Sequence, residues 1–586
     1  MDLSTSRLFF GDSRKPFRKW FSESAWILDE GDKPVKKNKV GAFALTAAAA
    51  LTLAGCSTST SAASPVSHAK RSVQSSTPLE VVPSPNGNFQ DNFNPFSANA
   101  NYGTQGIIYQ PLFYFDNVSG HTFPLLGTTY SWSNGNKTLT VNIRKGVKWS
   151  DGKAFTANDV VFTFNMLKHY PAADTNGDWT MLASVKADGL YKVVFQFKST
   201  NVPFATYILG SAIVPQHIWS KMGDPTKVAN TNPVGTGPYT LESFSTQDYK
   251  YLANNHYWGG IPPVKTVDFP AYSGNDSADM ALAKGNIDWS GSFIPNVQSL
   301  FVNHDTQHNH YFFPPGNIVM MYTNLKDPLL SQLPVRQAMS LAINRAQLAQ
   351  EGEYGYTKAA DALGLVLPNN AAWIDPTLKS KLNPAYNPAK AIQILEKAGY
   401  KKNAQGIFAK NGKALSFTLQ VPAGWTDWDT DCQLITNDLQ KVGIHVTVNE
   451  EQTGAYNNNL SQPKKDYQLA LSWTNPGPTP YFLYENLLAS KGNYNVEQLN
   501  SPAVNAALQS YSKTTNLAQQ KQAIYKVENY MATQLPSIPL FYGPIWYEYR
   551  TTNYTGFPTQ ANPWINPAPW TNFAQGIVLM HLHPAK

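Results

Sequence analysis

Thr138-Leu-Thr-Val-Asn-Ile-Arg-Lys-Gly-Val-Lys-Trp-Ser-Asp-Gly-Lys-Ala-Phe-Thr-Ala-Asn-Asp-Val160 carries the first reading of the fold. Its opening residues alternate apolar and polar with period two, the pattern of a half-buried strand. Trp149-Ser-Asp-Gly152 is a turn. Thr156 then stands three residues before Asp159, a capping-box spacing that opens a helix running to about Lys168. A strand, a turn and a helix inside 31 residues point to an α/β chain.

The pattern repeats outward. Tyr191-Lys-Val-Val-Phe-Gln-Phe197 alternates again. Asn387-Pro388 predicts a helix start, Asn as cap and Pro in the first turn, and Gly399 closes that helix. A further helix is expected with Thr426 as N-cap. Trp428, Cys432, Ile435, Leu439 and Val442 fall on one face of it, so Cys432 reads as a core thiol. Gly443 stops that helix, and Ile444-His-Val-Thr-Val448 alternates as the next strand.

The whole chain has 586 residues, roughly three or four domains' worth. Charged residues make up 15% and aromatic ones 13%, which excludes a disordered chain. The net charge is +7, with no dense Lys/Arg cluster to neutralise phosphates, so nucleic acid is not an expected partner. Two cysteines exclude a disulfide scaffold.

Residues 40–54 form one strongly apolar run, shorter than the ~20 residues a membrane span needs. Lys36, Lys37 and Lys39 precede it, and small residues follow, the layout of a secretory signal peptide. Residues 35–55 are therefore read as signal peptide. Residues 1–34, with Trp20, Phe21 and Trp26, do not fit such a peptide, and translation from Val35 is expected. Residues 56–77 read as a Ser/Thr-rich tether. Removing residues 1–55 leaves 37 Lys/Arg against 33 Asp/Glu, a net charge of +4.

Motifs of covalent and metal chemistry are missing from the sequence: no G-x-S-x-G, H-E-x-x-H, P-loop, G-x-G-x-x-G or C-x-x-C. Asp427 and Asp429 suit a helix's first turn, where the dipole favours carboxylates, with Asp427 also open to a ligand. His304, His308 and His310 lie in a polar stretch and read as a solvated loop rather than a metal site, and His581 and His583 as flanking an edge strand. No metal and no cofactor is expected.

The segments quoted above, with others in a fixed order, resemble the family-5 extracellular solute-binding proteins of ABC importers, the oligopeptide, dipeptide and nickel class. Leu53-Ala-Gly-Cys56 resembles a bacterial lipobox, which implies a lipid on Cys56 and anchoring to the outer side of the cell membrane. Asn92-Phe-Asn-Pro-Phe96, Ile108-Tyr-Gln-Pro-Leu-Phe113, Phe123-Pro-Leu-Leu126 and Leu139 to Val160 carry the family resemblance first. Pro233-Val-Gly-Thr-Gly-Pro-Tyr239, Asn254-Asn-His-Tyr-Trp-Gly259 and Val335 to Arg345 follow, with Asn344 where Asp is usual. The resemblance implies a three-lobed, periplasmic-binding-protein-like α/β flytrap. Lobe I would comprise 78–119, 232–322 and 540–586, lobe II 120–231, and lobe III 323–539. It also implies hinge closure over a solute, delivery to the permease subunits of an ABC importer, and no catalysis.

The solute is an oligopeptide by family default. Peptide-binding relatives anchor the α-amine on an Asp in a Gly-Trp-x-x-Asp-Tyr-like segment. Here Leu471 to Leu483 matches that segment and places Asn475 at the anchor. Asn cannot neutralise an ammonium but can pair with hydroxyls. Trp425, Trp473 and Trp546 have flat faces suited to sugar rings. Ala423 to Trp428, with the tail around Trp564 and Trp570, resembles the family's oligosaccharide-binding, cellobiose-type branch. A neutral β-linked oligosaccharide is thus the second solute class, and nickel or haem a third. The expected ligand-binding residues are Asn94, Tyr102, Trp425, Asp427, Trp473, Asn475, Tyr481 and Trp546, with no catalytic residue. An exported hydrolase or a non-transport sensory receptor on the same scaffold is the alternative function.

Overall fold

The computed structural model describes residues 77–585 except 86, 98, 424, 452, 461–464, 475 and 491–494. The signal peptide, Cys56, nearly all of the tether and Asn475 lie outside the described residues.

Three sheets organise the chain, as an α/β fold requires. The strands Gly127–Ser133, Thr138–Ile143, Leu182–Ala187 and Lys192–Phe197 form an antiparallel four-stranded sheet. The predicted helix packs on it as Ala157–His169, and its capping box is present: Asp159 Oδ2 accepts from the Thr156 amide at 2.9 Å. In the turn before it, Gly152 donates its amide to Trp149 at 2.8 Å, and the Trp149 ring is buried.

A seven-stranded sheet draws on distant parts of the chain. Leu79–Val82 lies parallel to Thr266–Pro270 on one side and to Trp289–Ser290 on the other. Tyr239–Phe244 and Asp248–Ala253 extend it one way, and Glu548–Arg550 and Asn309–Tyr311 the other. The Pro233 to Tyr239 motif enters this sheet because its glycines let two segments touch. A Cβ on Gly235 would run into the carbonyl oxygen of Ile108, and one on Gly237 into that of Ile107.

The third sheet has five strands in the order His445–Glu451, Ser416–Pro422, Leu469–Trp473, Pro315–Thr323 and Ser537–Pro544. Its centre is covered on both faces, so its strands read as apolar runs rather than alternations. Ile318, Met320 and Tyr322 face one core, and Val319 and Met321 the other. Strands Pro315–Thr323 and Ser537–Pro544 straddle the expected lobe boundaries at 322 and 540. They pair antiparallel, Pro315 opposite Pro544 and Tyr322 opposite Ser537.

Two buried guanidiniums lock helices around this sheet. Arg336 donates to the carbonyls of Gln534 at 2.7 Å and Leu535 at 2.8 Å, closing helix Leu517–Gln534. Arg345 donates to Pro539 O at 2.6 Å and Ser340 O at 2.8 Å. Asn344, the departure from the family pattern, caps the turn it precedes by accepting from the Gln347 amide.

Two local expectations shift. The helix expected after Thr426 begins at Thr426 itself, because the Trp425 carbonyl already accepts from the Asp429 amide at 2.8 Å and Trp425 is the N-cap. His581 ends helix Ala574–His581 rather than flanking a strand; only His583 joins an edge pairing, with Thr555. Among the described residues no helix is long and apolar enough to cross a membrane.

Candidate functional site

Strands Ser416–Pro422 and Leu469–Trp473 are parallel neighbours, with Leu419 opposite Leu469 and Gln420 opposite Ala470. Their carboxyl ends therefore emerge side by side, where open α/β sheets bind ligands. Trp473 is the last residue of one strand, and Trp425 follows the other by three residues. The two indoles stack at 5.2 Å between centroids and 9° between planes. Trp428 packs against both, 4.9 Å from Trp425 and 5.4 Å from Trp473. Trp428 belongs to the predicted apolar stripe, and Cys432, Ile435, Leu439 and Val442 below it are fully buried. Trp425 and Trp473 are only partly buried at the edge of that core. Each gives one face to the other, and both stay partly exposed.

Acidic groups adjoin this cluster. Asp427 sits half-buried in the first turn of helix Thr426–Lys441, and burial raises its carboxyl above the ordinary range. Asp431, one turn on, is buried, as is Glu353, which comes from the π-helical turn Leu348–Gly352. The contact is tight: a Cβ on Gly352 would collide with the Asp431 carboxylate. Burial, with the charge of Asp427, pushes Glu353 up to about 8, and Asp431 is driven up by burial and by Glu353. Both carboxyls are thus held above the ordinary carboxylate range by burial and by neighbouring carboxyls.

Trp546 builds a second aromatic group. It lies 5.1 Å from Phe293, 4.8 Å from Phe313 and 6.0 Å from Tyr356. Tyr354 reaches the same group, 5.8 Å from Phe293. The Tyr356 hydroxyl accepts from the Val297 amide at 2.9 Å and meets the Ile294 carbonyl at 3.3 Å. Segment 353–356 thus ties the surroundings of the five-stranded sheet to those of the seven-stranded one.

Three expected site residues are not brought to these clusters. The Asn94 amide donates to the carbonyls of Pro225 and Val228 at 2.6 Å each, and its oxygen accepts from the Phe96 amide. Tyr481 is buried and stacks on Tyr511 at 4.5 Å. Tyr102 packs on the core beside the seven-stranded sheet, where its carbonyl accepts from the hydroxyls of Tyr249 and Tyr251. Sequence reading passed over Glu353, Phe293, Tyr354 and Tyr356. The run Glu353-Tyr-Gly-Tyr356, two aromatics around a turn residue, was a usable signal for part of this set.

Among the described residues, no group of three His, Cys, Asp or Glu could hold a metal ion. His308 pairs with Asp305 at 2.9 Å, and His310 meets Thr551 at 3.3 Å.

Comparison with known proteins extends these observations. Protein XP55 of Streptomyces lividans is 29% identical over 64% of this chain and 67% of its own length. The oligopeptide-binding protein AppA of Bacillus subtilis is 28% identical over 62% and 67%. Among solved structures, a periplasmic oligopeptide-binding protein of a Thermotoga maritima ABC transporter is 28% identical. It superposes with a TM-score of 0.79 over 86% of this chain and 99% of its own. The same protein bound to mannohexaose superposes at 0.72 over 87% and 99%. Residues 122–495 match the family model described as bacterial extracellular solute-binding proteins, family 5. With that match covering more than half of its length, the chain belongs to the family-5 solute-binding proteins of ABC importers.

Proposed function

We propose that this protein captures a neutral, β-linked oligosaccharide outside the cytoplasm and hands it to the permease of an ABC importer. The observation that carries the solute class is the stacked Trp425–Trp473 pair at the carboxyl ends of adjacent parallel strands. Sugar rings offer apolar C–H faces to indoles and hydroxyl rims to neutral carboxyls and amides. Asp427 and Asn475 are the polar groups assigned to those rims. A relative at 28% identity holds mannohexaose, which supports the same class.

An oligopeptide is the second reading. Asp427 favours it, as a half-buried carboxyl that could take an α-amine, and so does the name of the AppA relative.

The lobes are proposed as 78–119 with 232–322 and 540–586, then 120–231, then 323–539. With those bounds the chain would pass between lobes I and III at 322/323 and 539/540, within the paired strands Pro315–Thr323 and Ser537–Pro544. Closure about that pair would be a two-state hinge biased by solute contacts made only when shut. Lipidation of Cys56 would hold the protein at the membrane surface, with two or more acyl chains for stable anchoring. No chemistry on the solute is assigned.

Calorimetry against β-1,4-linked gluco- and manno-oligosaccharides and against mixed peptides tests the reading. Micromolar or tighter binding, about −8 kcal/mol, is expected for sugars only, with the ligand recovered intact after long incubation. Peptide binding without sugar binding selects the second reading. Turnover of the ligand makes the protein a hydrolase.

A further inference from the structure

Tyr354 is held where a tyrosine does not sit freely. Its φ is +54°, the left-handed region that a bulky side chain rarely adopts. The residue is 51% exposed, so burial offers little in return for the strain.

The chain on either side holds this geometry. Before it, the π-helical turn Leu348–Gly352 closes with the Glu353 amide on the Leu348 carbonyl at 3.1 Å. Glu353 then drops into the interior against Asp431, on the helix that Trp425 caps. After it, Gly355 donates to the Ala349 carbonyl at 2.9 Å, and Tyr356 bonds to the 294–297 loop. The strained residue is pinned from both sheets, and its ring is left at the surface beside Phe293, itself only partly buried.

Two aromatic groups are therefore linked through one set of carboxyls. Trp425, stacked on Trp473, caps the helix whose first turn carries Asp427, and the charge of Asp427 acts on buried Glu353. Tyr354, which meets Phe293 as Trp546 does, is joined to Glu353 by a single peptide bond. Asp427 and Asp431 act on Glu353. A neutral chain with repeated rings matches two aromatic groups joined in this way.

We propose that Tyr354, with Phe293 and Trp546, forms a second ring-stacking subsite for the same oligosaccharide, and that bridging both aromatic surfaces sets a preference for longer chains. This rests on the sugar reading above. The first surface alone takes a short sugar; the second adds affinity only once the chain is long enough to reach it.

The test titrates wild type, Tyr354→Ala, Tyr354→Phe and Tyr354→Asn with β-1,4-linked manno- and gluco-oligosaccharides from disaccharide to hexasaccharide. Wild-type affinity is expected to rise with length and then level off. Tyr354→Ala should lower affinity for the longest ligands about tenfold, equivalent to ~1.4 kcal/mol, and leave the disaccharide within twofold. Tyr354→Phe keeps a stacking face and should retain the length dependence. Tyr354→Asn should lose it while Tm stays level or rises, because Asn tolerates the left-handed backbone.

Equal loss at every length, or no loss at any, overturns the subsite while the sugar reading stands. Unchanged affinity with lost uptake assigns Tyr354 to the permease-facing surface and overturns it too. A lowered Tm in Tyr354→Asn makes the residue structural. Wild type that binds no oligosaccharide overturns both the sugar reading and the subsite.

Discussion

Trp425 and Trp428 are three residues apart and have opposite surroundings. Trp428 is 5% exposed over a fully buried stripe, whereas Trp425 is only partly buried and stacked on Trp473. Trp425→Ala should therefore lower solute affinity at least tenfold with little change in Tm, measured by calorimetry on the folded variant. A loss of less than twofold removes Trp425 from the site. Gly235 makes a contrasting case. Gly235→Ala places a methyl against the Ile108 carbonyl and should cost about 1–3 kcal/mol of stability, read as a lower urea midpoint. Spacing placed Trp428 in the core from sequence. The need for Gly235 to be small depends on a segment more than 100 residues away, which no local pattern contains.

The helix Ala157–His169 owes its start to four residues. Thr156 accepts from the Asn158 amide at 3.3 Å, and Asp159 returns a bond to the Thr156 amide at 2.9 Å. Thr156→Ala should cost about 1 kcal/mol, seen as a lower unfolding midpoint with ligand affinity unchanged. Elements of this kind were legible because their signals are local: caps, alternation and apolar stripes. The π-helical turn Leu348–Gly352 was not, because it depends on how Gly352 packs against Asp431 from another helix. That turn sets Glu353 and Tyr354, so the part of the candidate site it builds was not readable from the chain alone.

Several carboxyls are buried across the molecule. Burial raises Glu353, Glu497 and Glu528 to about 8 from an ordinary 4.5, and Asp361 to about 7 from 3.8. Between those limits the folded protein binds more protons than the unfolded chain, so raising the pH withdraws stability. Their contribution is full below the ordinary values and gone above the raised ones. The partly exposed Asp224 and Asp305, held low by Thr226 and His308, act in the opposite sense but at more acid pH. Tm should therefore peak near pH ~5 and fall by several degrees toward pH ~8, as scanning calorimetry would show. Glu497→Gln should flatten that decline. A Tm that is level or rises across the window contradicts the buried protonated state.

By itself the sequence determined the α/β class, many helix starts, the core stripe under Trp428 and the family, because each is written in short spacings or ordered motifs. Only the tertiary structure decided which aromatics meet. It stacked Trp425 on Trp473 by making their strands parallel neighbours, and it joined Tyr354 to Phe293 and Trp546 through an interior turn. It also placed Asn94 and Tyr481 in the framework, where carbonyls and a neighbouring ring already occupy them. The physical reason is range: propensity and capping act over a few residues, whereas a binding surface is assembled from segments that meet only after the sheets have formed.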